Sequence, residues 1–190
     1  MKNEKKINNL SKIETAIKGA YILKKRKIID NRGNFSRFFS TDEFSDIGIE
    51  FQVNTVNYSF TKKFGTFRGL HYQSPPHSEI KIVSCIQGKI IDFCLDIRKD
   101  SSSFLSHHSE ILSEQNNKSL IIPHGCAHGF QTLTDNCKIL YLHSSPYVAE
   151  AERGLNIYDK KINIDLPINI SEISERDRNL NFINDDFSGV

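Results

Sequence analysis

From about residue 51 the chain is divided into short apolar runs, each closed by a turn signal, and this limits what it can fold into. The runs are FQVNTVNYSF, GTFRGLHYQ, EIKIVSCIQG, KIIDFCLDIR, HHSEILS, KSLIIPHGCAHGFQTL and CKILYLHSSPY. Each is rich in Ile, Val, Phe, Tyr and Leu and ends at Gly, Asp-Asn, Ser-Glu or Pro. Such runs read as strands, and many short strands with turns about every ten residues build a sandwich, jelly roll or barrel. No alternation of strand and helix appears, which argues against a parallel α/β sheet. The expected class is all-β, with short peripheral helices.

The ends differ from this middle. Residues 1–18 are polar and Lys/Asn-rich and read as a mobile or weakly helical N-terminal extension. Residues 19–165 form the expected β domain, and 166–190 an Asn/Asp-rich tail. Within GAYILKKRKIIDNRGNFSRFFS, Asp30-Asn31-Arg32-Gly33 supplies the residues of a tight turn between two extended runs. TDEFSDIG reads as a short helix capped by Thr41. In the tail, ISEISERDRNL reads as another, with Ser174 as cap ahead of Glu175 and Asp177.

Composition narrows the partners. A chain of 190 residues buries a core without staples, and its net charge of +2 gives no reason to expect nucleic acid or an acidic membrane surface. Cys85, Cys94, Cys126 and Cys137 lack any CxxC spacing and read as reduced, buried thiols. No apolar run approaches the ~20 residues that span a bilayer. MKNEKKINNL has no apolar core of a signal peptide. The expected location is the cytoplasm.

The chemistry concentrates in GTFRGLHYQSPPHSEIKIVSC, which places Arg68, His71, His77, Glu79 and Lys81 between two strands. A metal site is one reading. Jelly-roll metal proteins set His-x-His and a Glu on neighbouring strands, with a later His after a Pro-x-Gly turn. Here His71, Glu79 and His128 of PHGCAH come close, but Gln73 stands where the second imidazole belongs, and Gln is a poor ligand for such metals. His77 flanks a Pro-Pro turn, and His107-His108 reads as surface because neighbouring strand residues point to opposite faces. The other reading is acid–base work. Residues two apart share a strand face, so His71 lies with Gly69 and Gln73, and Lys81 with Glu79 and Val83. A base, a cation and a guanidinium together suit an anionic substrate with a proton to lose. A satisfied core His and an exposed Lys remain the plain alternative for either residue taken alone.

Taken in order and spacing, RGLHYQ, EIKIVSC, DFCLDIRKDS, IPHGCAHGFQTL, ILYLHSSPY and SERD resemble the dTDP-4-dehydrorhamnose 3,5-epimerase family, also called dTDP-4-keto-6-deoxyglucose 3,5-epimerases, from about Ala20 to Asn179. The resemblance implies a cupin jelly roll, chemistry without metal or other cofactor, and a homodimer. It implies epimerisation of a nucleotide-diphosphate 4-keto-6-deoxyhexose, in deoxysugar synthesis for a bacterial surface polysaccharide. It assigns His71 as the base, Asp177 as the carboxylate behind it, Tyr141 as the acid on the far side and Lys81 as partner of the enolate. Arg32 and Arg68 would hold the diphosphate and Tyr147 would stack on the nucleobase. Asn57, His128, Glu152 and Arg176 match positions that line the site. The chemistry fits: a 4-ketone acidifies C3–H and C5–H, and inversion needs a base and an acid on opposite faces of the ring.

Two departures bear on the substrate side. The family's carboxylate soon after the Arg-Gly turn is replaced by Arg37, and its Gln-Asp-Asn by Thr55-Val56-Asn57. They leave open a dTDP, CDP or GDP carrier, and inversion at C3, C5 or both. Two other function classes stay in view: a cupin 3,4-ketoisomerase of nucleotide sugars, and a sugar-nucleotide-binding or metal-binding cupin.

Overall fold

The computed structural model of the chain describes residues 4–7 and 9–190. β1 (Glu4–Ile7), β2 (Leu10–Glu14) and β3 (Tyr21–Lys25) come first, followed by the hairpin β4 (Ile28–Asp30) and β5 (Gly33–Phe35) and the helix α1 (Thr41–Asp46). β6 (Thr55–Thr61), β7 (Phe67–Gln73), β8 (Lys81–Gln87), β9 (Lys89–Asp96) and β10 (His107–Ser113) follow. β11 (Lys118–Ile122), β12 (Cys126–Thr132), β13 (Cys137–His143), β14 (Glu152–Gly154) and the helix α2 (Glu175–Arg178) complete the chain.

Two antiparallel sheets make the body, ordered β1-β2-β3-β11-β8-β13-β6 and β10-β9-β12-β7-β14. This is the expected all-β jelly roll, with Ile22, Val83, Cys85, Ile90, Cys94, Leu120, Phe130 and Ile139 packed between the sheets. Burying each such large side chain contributes about 1.5–3 kcal/mol. Several strands are buried on both faces. On β9, Ile90 and Cys94 face the inner core, while Phe93 and Leu95 join an outer cluster with Phe67, Leu70, Leu155 and Ile157. Phe44 of α1, with Phe51, covers Leu23, Ile82 and Leu142 on the other outer face. All four cysteines are buried free thiols.

Three local expectations need correction. Part of the polar segment 1–18 is strand: Leu10–Glu14 pairs with Tyr21–Lys25, and Leu10 is buried under the α1 cluster. Residues 1–3 and 8 lie outside the described residues. α1 begins one residue earlier than read, with Ser40 rather than Thr41 at the cap position. His107 and His108 are half-buried on β10, not surface residues. By contrast, α2 forms with its anticipated cap, Asp177 N–H donating to Ser174 Oγ at 3.0 Å.

Candidate active site

Strand alternation, with one register shift on β7 between Arg68 and His71, aims one set of polar side chains into the space between the sheets. From the seven-stranded sheet come Lys81, Tyr141, His143, Asn57 and Ser59, in register across three neighbouring strands (Tyr141 opposite Asn57, His143 opposite Lys81). The five-stranded sheet supplies Arg68, His71 and His128, with His71 opposite His128. Together with residues 171–174 and 176–178 of the tail they line a cavity of about 780 Å³. His71 and Tyr141 therefore reach one cavity from opposite sheets.

The tail is fastened there by backbone bonds. Phe67 N–H donates to Glu172 C=O and Ser171 N–H to Gly65 C=O, which sets α2 against β7. Asp177 then meets His71 Nε2 at 2.7 Å through Oδ1, while Oδ2 accepts the Gly69 N–H at 3.2 Å. Burial pushes the Asp177 carboxyl up, but the hydrogen bond and charge of His71 outweigh it, and the net shift is downward. Asp177 is thus an anion that fixes the tautomer and orientation of the imidazole. Across the cavity, Tyr141 Oη lies 3.0 Å from Ser59 Oγ. Burial pushes this phenol well up, with Ser59 offsetting part of the rise, so it keeps its proton at neutral pH.

The remaining residues divide by position. Lys81 Nζ lies 3.1 Å from Glu79 Oε1, and Glu79 Oε2 lies 2.7 Å from His143 Nδ1. On the cavity floor His128 Nε2 meets the buried Asp92 at 2.7 Å. Burial pushes Asp92 up, and His128 offsets part of that. Arg68 is steered by Thr61 Oγ1 at 3.1 Å, and Arg176 is paired with Glu152 at 2.8 Å. Tyr147, largely exposed, donates to Glu152 Oε2 at 2.6 Å beside a smaller lobe of the cavity. Arg32 is not brought in. It lies exposed on the β4–β5 turn, paired with Asp30 at 2.6 Å. Arg37, the first departure, pairs with Glu43 at 2.7 Å and lines neither the cavity nor its lobe. In the second departure only Thr55 and Asn57 face inward; Val56 is exposed on the outside of β6.

Gln73, at the broken His-x-His, is a structural clamp. Its amide donates to His77 C=O and Pro146 C=O and its Oε1 accepts from Val148 N–H, tying the Pro-Pro turn to the segment after β13. Among the described residues no three His, Cys, Asp or Glu side chains converge as a metal cage. Sequence reading missed Ser59, Asp92 and His143 as site residues and considered Glu79 only as a ligand. The signal for His143 was present, since it lies two residues from Tyr141 on the same face of β13; Glu79 lies two residues ahead of Lys81, just before β8 begins.

Relatives with this architecture are numerous. The family profile described as dTDP-4-dehydrorhamnose 3,5-epimerase matches residues 14–185. A dTDP-4-dehydrorhamnose 3,5-epimerase of Shigella flexneri is 36% identical over 168 residues, covering 88% of this chain and 92% of the relative. The crystal structure of the Bacillus anthracis enzyme of that name, with TDP and PPi bound, superposes with a TM-score of 0.89 at 33% identity, covering 92% of this chain and 99% of the other. A Legionella pneumophila dTDP-6-deoxy-D-glucose-3,5-epimerase in complex with dTDP-4-keto-L-rhamnose gives 0.86 at 30% identity, covering 91% and 92%. The motifs, the two-sheet architecture and these likenesses agree: the chain belongs to the dTDP-4-dehydrorhamnose 3,5-epimerase family.

Proposed function

We propose that the chain inverts the carbons beside the ketone of a nucleotide-diphosphate 4-keto-6-deoxyhexose, at C3, C5 or both. His71, held by Asp177, removes the proton. Lys81 stabilises the enolate oxygen, and Tyr141 delivers a proton to the opposite face of the ring. The observation that carries this reading is the placement of His71 and Tyr141 on opposite sheets of one cavity, the first backed by an anion and the second protonated.

Arg68 and Arg176 bind the diphosphate, a task suited to guanidinium forks. Tyr147 stacks on the nucleobase, and Asn57, His128 and Glu152 line the sugar end. The nucleotide contents of the two solved relatives support a dTDP carrier. The active form is a homodimer. Exposed Val56, Tyr58 and Phe60 on the edge strand β6, with Ile28, Ile29 and Phe35 on the β4–β5 hairpin, supply an apolar face to bury. Arg32 on that hairpin reaches a diphosphate only if a second copy receives it. Four reduced thiols fit a cytoplasmic enzyme, and among the described residues no helix is long and apolar enough to cross a membrane. The product would feed rhamnose-type deoxysugar synthesis for lipopolysaccharide or capsule.

The test is incubation in D2O with dTDP-, CDP- and GDP-linked 4-keto-6-deoxyhexoses, with chelator present. Deuterium enters at the inverted carbons, and His71→Ala reduces its entry at least ~100-fold. Unchanged exchange in that variant refutes the assignment. A carbonyl moved to C3 would mark ketoisomerisation instead.

A further inference from the structure

The cavity opens into a lobe of about 250 Å³ that shares Asn57, His71, Lys81 and His143 with it. Its wall is organised by Glu79, which the resemblance does not assign. One carboxylate holds both Lys81 and His143, and all three side chains are largely buried. Burial pushes the Glu79 carboxyl up, but the hydrogen bond from His143 and the charge of Lys81 outweigh it, so the net shift is downward and the group is an anion at neutral pH. A carboxylate only accepts hydrogen bonds. His143 Nδ1 therefore carries the hydrogen, and in the neutral ring Nε2 is left with a lone pair. That nitrogen lies 3.3 Å from Asn57 Nδ2, a donor. An acceptor and a donor thus stand side by side on β13 and β6, two residues from Tyr141 and directly opposite it respectively.

A hydroxyl can use both at once, giving its hydrogen to the imidazole and accepting from the amide; a methylene can use neither. In a 1-linked 4-keto-6-deoxypyranose the free hydroxyls are those on C2 and C3. Resting on the function proposed above, we infer that this lobe is a ring-hydroxyl subsite. His143 Nε2 and Asn57 bind the C2 or C3 hydroxyl of the hexulose. Glu79 is a positioning residue that holds the imidazole in its tautomer and ties it to Lys81, so that hydroxyl recognition and enolate stabilisation depend on one carboxylate.

The experiment compares solvent deuterium exchange into the dTDP-linked 4-keto-6-deoxyhexose and its 2-deoxy and 3-deoxy analogues. A subsite of this kind lowers kcat/KM at least ~100-fold for one analogue in the wild-type enzyme, because the analogue lacks the hydroxyl that donates to the largely buried His143 and accepts from Asn57. His143→Leu should bring that ratio to within ~3-fold and raise KM for the parent more than it lowers kcat, while His143→Gln, which keeps an acceptor, retains at least ~10-fold. Glu79→Gln, which keeps the shape and removes the anion, should lose part of the discrimination with unchanged thermal unfolding. Equal treatment of all three sugars by the wild type overturns the subsite while leaving epimerisation standing, and so does a ratio that survives in His143→Leu. Should His143→Leu fail to fold, the wild-type ratio and His143→Gln decide. No exchange into the parent would remove the proposed reaction and the subsite together.

Discussion

His71 and Asp177 lie 106 residues apart in sequence and 2.7 Å apart in space. Neither is informative alone, since a strand His and a tail Asp are ordinary residues. Their meeting depends on one capped helical turn and two backbone bonds that fasten the tail to β7. Tyr141 faces them from the other sheet, and this separation has a measurable consequence. His71 can remove a proton and return deuterium to the same face without the phenol. Tyr141→Phe should therefore keep solvent exchange within ~10-fold of wild type while inverted product falls at least ~100-fold, as read by NMR in D2O. Equal loss of both would mean that Tyr141 serves binding rather than proton delivery. That His71 and Tyr141 reach one cavity was legible from the family's motifs, because RGLHYQ and ILYLHSSPY carry them on strand runs. The roles of Gln73 and His143 were not, because what a polar strand residue touches is set by the neighbouring strands, and pairing is not written in any one segment.

At the scale of elements, the antiparallel pairing of β7 with β12 places His71 opposite His128. Gly69 makes it possible: a Cβ there would lie 2.5 Å from Gly129 Cα and 2.8 Å from the His128 carbonyl oxygen, at a φ of +129°. Both obstacles are backbone atoms and cannot move aside. Gly69→Ala should cost at least ~3 kcal/mol in denaturant unfolding, and more activity than stability if the chain still folds. The first strands teach a different lesson. LSKIE contributes only Leu10 and Ile13 to packing, too little to announce a strand, and it becomes one because β3 offers an unpaired edge. β3 carries a cost of its own in Lys25, buried beneath the ring of Phe38 and bonded to Ser119. Burial lowers this amine from 10.5 to about 7. Between those values the unfolded chain holds a proton that the folded chain has shed, so this group makes stability rise with pH across the window, and its full cost applies below it. Lys25→Met should raise stability by about 2–4 kcal/mol at pH 6, and the gain should vanish above the unfolded value near 10.5 in melts taken across pH.

For the whole molecule, the fold class was readable from strand spacing, and the family from several motifs in order. Arg32 shows where a single chain runs out: it was assigned to the diphosphate, yet it lies exposed on a hairpin that forms its own two-stranded sheet. A homodimer would resolve this. Phe60→Asp should weaken self-association at least ~10-fold in light scattering over a dilution series, with specific activity falling as the dimer dissociates. Dimers that persist unchanged would move the interface elsewhere. With the interface on β6, that strand would face two masters. Asn57 and Ser59 point inward, and Val56, Tyr58 and Phe60 point out, along one uninterrupted ribbon. Because neighbours on a strand cannot be moved independently, pressure from an abutting subunit would be felt a few ångströms away as a change in how the sugar is held. Mutations selected for quaternary fit could retune catalysis without ever touching the ligand.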